Sequence, residues 1–301
     1  ITKYPQGIYF AKSASIADLN NFKNLKNFNH KIAVLDEEAI IHQNEEAHIK
    51  SRYSNETLPL IDAILSWGEY DNSVVKKYFP EHINNYYIVG NPRMDLLRNE
   101  LRSFYKEAKK NLKNKYGKYI IIPSSFAMCN HHTESGARIE WRKSMGMVNK
   151  PEDIPFYTNY ANHFDSIFKE FLNVIPKLAD EFNNYTFIVR PHPSENFNIW
   201  IDRFKEYKNI KVIYEGSVIP WLYASELVIH NGCTTGIESF LLDKNVISYR
   251  PYISEEYDLD LPNDVSIQVF NYNELKYSIT NLLKNKEPSK EYLENGRKVL
   301  N

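Results

Sequence analysis

Apolar residues in this chain fall into short continuous runs, separated by longer stretches in which they recur at helical spacing. Lys31-Ile32-Ala33-Val34-Leu35 is one such run, ended by the acids Asp36, Glu37 and Glu38. Ala63-Ile64-Leu65-Ser66-Trp67-Gly68 and Tyr86-Tyr87-Ile88-Val89-Gly90 are two more, the second closed by Asn91-Pro92. Each reads as a buried strand running into a loop, and Gly7-Ile8-Tyr9-Phe10 reads as the end of another. Between the last two runs, residues 71–78 predict a short helix with Asp71 as its N-cap.

From residue 99 to 118 the composition shifts to Lys, Glu, Asn and Tyr, which predicts a solvated helix. Tyr119-Ile120-Ile121-Ile122-Pro123 then begins a new buried strand, so a domain boundary is expected here, dividing the chain into 1–116 and 117–301. Beyond it the alternation is regular: helix 161–182, strand 185–190, helix 199–207, strand 210–214, a short helix after Pro220, strand 227–230, helix 235–242 and strand 245–249. Continuous apolar strands alternating with helices imply α/β units around parallel sheets covered on both faces. Right-handed crossovers place the C-terminal ends of such strands on one rim, where doubly wound sheets bind ligands.

Composition narrows the function classes. A net charge of -1 gives no bulk electrostatic case for nucleic acid as a partner. Cys129 and Cys233 are too few for a disulfide scaffold or a cysteine-based zinc site, and a reducing cytoplasmic compartment fits them. No apolar run approaches the ~20 residues of a membrane span. The chain opens on Ile1 rather than Met, and the numbering is expected to begin inside a longer protein.

Candidate chemistry collects at the expected rim. Strand 227–230 runs into His230-Asn231-Gly232-Cys233-Thr234-Thr235-Gly236, followed by Ile237-Glu238-Ser239. Small hydroxyl residues at a helix start suit a phosphate, because unpaired N–H groups and the helix dipole favour an anion there. An ordinary N-cap at Thr234 or Thr235, with Glu238 completing a capping box, accounts for the same residues. Strand 185–190 ends in Arg190-Pro191-His192-Pro193, where two prolines stiffen a turn that presents a guanidinium and an imidazole, either to a phosphate or carboxylate ligand or to a carbonyl or carboxylate of the chain itself. Tyr214-Glu215-Gly216-Ser217 offers a turn for a flat base, or simply a helix start. Ser124 and Ser125 follow strand 119–123, and His131-His132 follow Cys129. Adjacent histidines rarely face one ion, and the spacing matches no zinc pattern, so no metal site is expected.

Together, Arg-Pro-His-Pro, then His-Asn-Gly-Cys-Thr-Thr-Gly-Ile-Glu-Ser and a short Val-Ile-Ser-Tyr-Arg-Pro strand resemble the C-terminal donor domain of GT-B glycosyltransferases. The likeness is to bacterial surface-carbohydrate biosynthesis proteins related to capsule-type Kdo transferases and, more distantly, to bacterial sialyltransferases. It extends through Leu65-Ser66-Trp67-Gly68-Glu69-Tyr70 and Val89-Gly90-Asn91-Pro92-Arg93-Met94-Asp95. The resemblance implies two Rossmann-like domains facing a cleft, and metal- and cofactor-independent transfer of a CMP-activated ulosonic acid to a surface glycan. It puts His192 and Pro193 against the cytidine phosphate or ribose, Thr234, Thr235 and Gly236 around phosphate, and Glu238 on the ribose. Arg190, Ser217, Asn231, Gly232, Ser124 and Ser125 join the donor site, with Asn91, Arg93 and His131 as donor or acceptor contacts. The catalytic carboxylate falls among Asp36, Glu37 and Glu38, although Ala39 stands where the relatives carry Gly. Partners are then a nucleotide-sugar donor and a glycan acceptor, in the cytoplasm or peripherally at the inner membrane. A UDP-sugar or CDP-glycerol enzyme, an epimerase, or a non-catalytic nucleotide-binding subunit remain alternatives.

Overall fold

The short apolar runs become parallel strands in a computed structural model, which describes residues 5–38, 40–41, 45–144, 148, 150–285 and 288–300. Strands β1 (Ile8–Ala11), β2 (Lys31–Leu35), β3 (Ala63–Ser66) and β4 (Tyr86–Ile88) form one sheet in sequential order. Strands β5 (Tyr119–Pro123), β6 (Thr186–Arg190), β7 (Ile210–Val212), β8 (Leu227–His230), β9 (Val246–Tyr249) and β10 (Ile267–Val269) form a second, in the order β10-β9-β8-β5-β6-β7. All pairings between these strands are parallel. The chain thus contains two parallel-sheet α/β domains.

The second sheet reads, from β7, as the dinucleotide-fold order 3-2-1-4-5-6. The chain winds outward one way from β5 through β6 and β7, then returns to β8 and winds the other way. The connections leaving β5 and β8 therefore diverge, and a crevice opens between them at the C-terminal ends of the strands. Beneath that rim lies an aromatic core in which Phe126 packs on Phe171 (5.3 Å between centroids) and Phe168 on Trp200 (4.9 Å). The first sheet has its own core, including Phe22, Ile32, Val34, Ile64, Val75 and Phe79.

Helix boundaries moved where local hydrogen bonding decided them. The helix expected at 71–78 begins earlier, as Glu69–Tyr78, with Gly68 as N-cap. Asp71 instead sits in the first turn, and its carboxylate accepts the Trp67 N–H at 3.3 Å. The long helix of the second domain is Ile154–Glu181, starting ahead of 161 with a proline in its first turn, where no N–H is needed. The helix after β6 is Phe197–Phe204, capped by the side chain of Asn196.

By compactness, residues 1–95 and 139–151 form one unit, and 96–138 with 152–301 the other. Residues 96–116, which the composition shift put ahead of the boundary, thus belong to the second unit. Arg102 is buried there, donating from Nε to the Leu97 carbonyl (2.7 Å) and from Nη1 to Asp243 (2.7 Å). On the helix Lys106–Tyr116, the Lys109 ammonium lies 3.5 Å from the Tyr223 ring centroid, and Lys113 pairs with Glu226 at 3.1 Å. Among the described residues, no helix is long and apolar enough to cross a membrane.

Replacing Arg102 by Leu leaves Asp243 and buried carbonyls without their donor. The second unit is expected to lose about 2 kcal/mol of stability. Amide exchange should quicken in β8 and β9 and stay unchanged in β2 and β3; equal quickening in both sheets would contradict the assignment of 96–116.

Candidate functional site

The turn after β8 is built around a buried histidine. The His230 ring is fully buried, with Nδ1 accepting the N–H of Gly232 (2.9 Å) and Cys233 (3.4 Å). Its Nε2 donates to Ser266 Oγ at 2.8 Å, and Ser266 passes its own proton to the Pro262 carbonyl (2.7 Å). Burial pushes the His230 pKa down to about 3, so the ring is neutral. Gly232 takes φ +82°, a conformation side chains rarely adopt. The helix that follows is Thr234–Leu241, with Cys233 as N-cap.

The capping-box account fails here, because Cys233 is the N-cap, which puts Thr234 and Thr235 inside the helix and Gly236, not Glu238, three residues after the cap. Gly236 has a structural cause of its own: a Cβ there would stand 2.6 Å from His230 Nε2. Thr234 and Thr235 are half-buried, and Thr235 Oγ1 lies 2.7 Å from Cys233 Sγ.

The neighbouring turns are tied together by Glu195, a residue that sequence reasoning missed. Its carboxylate is 3% exposed and accepts hydrogen bonds from Ser124 Oγ (2.9 Å), Phe126 N (2.9 Å), His192 N (3.1 Å) and Trp200 Nε1 (2.9 Å). Asn231 joins the β8 turn to the β5 turn in the same manner, accepting from Ser125 N (3.0 Å) and donating to Ser125 O (3.3 Å). Arg190 is also buried. Its guanidinium donates to the carbonyls of Glu215 (3.0 Å) and Gly216, and lies 5.0 Å from the Tyr214 ring centroid. Arg190 therefore shapes the turn leading to Ser217, which is exposed.

The motif residues divide accordingly. Arg190, Ser124, Asn231, Gly236 and Glu238 are buried, whereas His192, Pro193 and Ser217 are exposed, and Gly232, Thr234, Thr235, Ser125 and His131 lie half-open. No sequence signal marks Glu195 as special: it is a single acid between Ser194 and Asn196.

In the first unit, Asp36 ends β2 and is buried, with Arg52 Nε 3.0 Å and His48 Nε2 3.7 Å from its Oδ2. Burial raises its pKa, partly opposed by Arg52. Glu38 differs, since the Lys12 ammonium at 2.7 Å holds its pKa below the usual carboxylate value. The Glu37 side chain is exposed, and its carbonyl accepts Asn91 Nδ2 at 3.0 Å. Asn91 Oδ1 in turn accepts the Arg93 N–H (3.0 Å), so the buried Asn91 clips the β2 and β4 turns together. Ala39 and Ile1 lie outside the described residues. Asp71 shares this end of the sheet, and burial together with the Asp36 charge pushes its pKa up to about 6. Among the described residues, no group of three His, Cys, Asp or Glu side chains is placed to hold a metal ion.

No family model matches the chain, and no curated protein matches it in sequence. Its fold is similar to that of the wall teichoic acid polymerase TagF soaked with CDPG, with a TM-score of 0.58 and 12% identity over 97% of this chain. The chain spans 65% of that polymerase's chain, just under two thirds. The UDP-GlcNAc 2-epimerase from Methanocaldococcus jannaschii is also similar, with a TM-score of 0.54 and 14% identity over 98% of this chain and 76% of that one. Another UDP-N-acetylglucosamine 2-epimerase gives 0.54 and 10% identity over 99% of this chain and 71% of that one. These likenesses establish the fold: two parallel-sheet α/β domains matching GT-B enzymes.

The raised Asp71 pKa has a signed consequence. Stability owed to its protonated form is complete below the ordinary 3.8 and is lost as pH rises through about 6. Asp71→Asn, which keeps an acceptor for the Trp67 N–H, should match the wild type near pH 4 and exceed it by about 2 kcal/mol near pH 8. Denaturant midpoints across that range test this, and a gap independent of pH would overturn it.

Proposed function

We propose that this chain is a glycosyltransferase of GT-B type whose nucleotide-activated donor binds the rim of β5, β6 and β8. The observation that carries the reading is the crevice at the sheet's switch point. His192 and Pro193 are exposed beside it, and a neutral His230 shapes the backbone of Gly232 and Cys233 ahead of the helix Thr234–Leu241. Transfer of a sugar requires stabilising the departing phosphate, and hydrogen-bond donors fixed in advance do this at little reorganisation cost. His192, the hydroxyls of Thr234 and Thr235, and the N–H groups at that helix start are the proposed donors. Gly232 lets the backbone approach, Ser217 faces the base side, and the half-open Ser125 with the buried Arg190, Ser124, Asn231, Gly236 and Glu238 holds the walls.

The acceptor hydroxyl must lose a proton, and a carboxylate of the first unit is the proposed base. Burial raises the proton affinity of Asp36, which favours it as that base. Glu38, held as an anion by Lys12, is a weaker one. Glu37 is exposed beside them, and Asn91, Arg93 and His131 are proposed substrate contacts.

For the donor we propose a CMP-activated ulosonic acid, on the pairing of the His192-Pro193 and Thr234-Thr235 motifs, with a surface glycan as acceptor at the cytoplasmic face of the inner membrane. A second reading, a transferase or epimerase using CDP-glycerol or a UDP-sugar, draws support from the likeness to a polymerase soaked with CDPG and to UDP-GlcNAc 2-epimerases.

Thermal shifts with CMP, CDP, UDP and GDP separate the two. The cytidine nucleotides should stabilise the protein, and stabilisation by UDP alone would sink the cytidine assignment. His192→Ala should keep the unliganded Tm and weaken nucleotide binding about tenfold, the size of one charge-assisted hydrogen bond.

With donor and acceptor supplied, one of Asp36→Asn, Glu37→Gln or Glu38→Gln should slow turnover about a hundredfold or more. Unchanged rates in all three variants would remove the base from this segment.

A further inference from the structure

The chain leaving β5 folds back over the end of β6. Asn196 N donates to the Asn130 carbonyl (2.9 Å), His131 forms an antiparallel bridge with Glu195, and His132 N donates to the Ser194 carbonyl (3.0 Å). Ser194 is thereby gripped by two imidazoles at its two polar ends. His132 Nδ1 lies 2.9 Å from the Ser194 carbonyl oxygen, while the Ser194 N–H donates to His192 Nδ1 at 3.2 Å.

These contacts assign the tautomers. A carbonyl only accepts, so His132 Nδ1 carries its proton and the Nε2 of the neutral ring is a bare acceptor. An amide N–H only donates, so His192 Nδ1 is bare and its proton sits on Nε2. Both rings are exposed on the same rim. The His131 ring stacks on His132 at 4.3 Å and 25°, which limits the swing of the second imidazole.

We propose that His132 is a ligand-binding residue of the donor site, working in the opposite tautomer to His192. His192 Nε2–H donates to a phosphate oxygen, and His132 Nε2 accepts from a hydroxyl on the same molecule. The ligand class is a phosphate ester that carries a free hydroxyl, as a nucleoside diphosphate does on its ribose. The inference rests on the reading of this rim as the donor site and adds to it His132, which the sequence weighs only as a metal ligand.

Two substitutions separate ligand contact from support of the turn. An Asn side chain reaches the Nδ1 position, so His132→Asn preserves the bond to Ser194 and removes the outward acceptor. A Gln side chain reaches the Nε2 position, so His132→Gln preserves the acceptor and loses the bond to Ser194. Calorimetric titration with CDP and with UDP is expected to show His132→Asn binding about tenfold more weakly than wild type and His132→Gln within about threefold. Nitrogen-15 spectra of the histidine rings are expected to show His132 protonated at Nδ1 and His192 at Nε2 near pH 8. Full affinity in His132→Asn, or an Nε2-protonated His132, overturns the proposal while leaving the donor site standing. A wild-type protein that binds neither CDP nor UDP overturns the donor-site reading, and the role of His132 falls with it.

Discussion

A buried carboxylate can persist only where several donors converge on it, and Glu195 meets that condition. Main-chain N–H groups from Phe126 and His192, the Ser124 hydroxyl and the Trp200 indole all point at it. Those groups come from the ends of β5 and β6 and from the helix behind them, so one charge sets the relative positions of two turns. Trp200 also lies in the aromatic core with Phe126 and Phe168, which anchors the polar rim to the apolar interior. Truncate Glu195 and those donors lose their acceptor together, so the turn bearing His192 has no reason to keep its shape.

The β8 side obeys the same constraint with a neutral group. His230 is stable without charge only because both ring nitrogens are used, one as acceptor and one as donor. Its bulk fills the space that Gly236 leaves open, which explains a glycine inside a helix, where it otherwise costs about 1 kcal/mol relative to Ala. Asn231 then locks this turn to Ser125 on the β5 side. The rim is thus three turns joined by buried polar groups, with Glu195 linking β5 to β6 and Asn231 linking β5 to β8.

Five of the second sheet's six strands were legible as apolar runs, and alternation with helices implied their parallel pairing; β10, only Ile267-Gln268-Val269 with a polar residue at its centre, left no such run. The rim was legible as a place, since every singled-out motif of that half lies at a strand end. Roles within it were not. Arg190 and Asn231 look like ligand contacts in a linear motif, yet their partners lie elsewhere in the chain and fold them inward, and Glu238 is fully buried. Glu195 shows the reason most plainly, because Ser124 and Phe126 reach it across separations of 71 and 69 residues, and no local pattern records such contacts. The misplacement of residues 96–116 has the same origin: a Lys-rich composition describes the exposed face of that helix and is silent about Arg102 beneath it.

The two units treat charge in opposite ways, and this bears on how a transfer reaction would be divided between them. In the second unit the buried histidine is kept neutral, and it fixes the turn by taking the N–H groups of Gly232 and Cys233 onto its own Nδ1. In the first, Asp36 and Asp71 lie near enough that each raises the cost of ionising its surroundings, and Tyr53 beside them is pushed well above its ordinary pKa. Arg52 opposes part of the burial cost for Asp36, while burial pushes the Asp71 pKa up to about 6. A cluster of this kind can take up a proton at Asp36 and share the electrostatic consequence with a neighbour instead of bearing it alone. On the proposed reading, deprotonation of the acceptor draws on the proton affinity at Asp36, and the departing phosphate draws on the donors proposed at the rim of β5, β6 and β8.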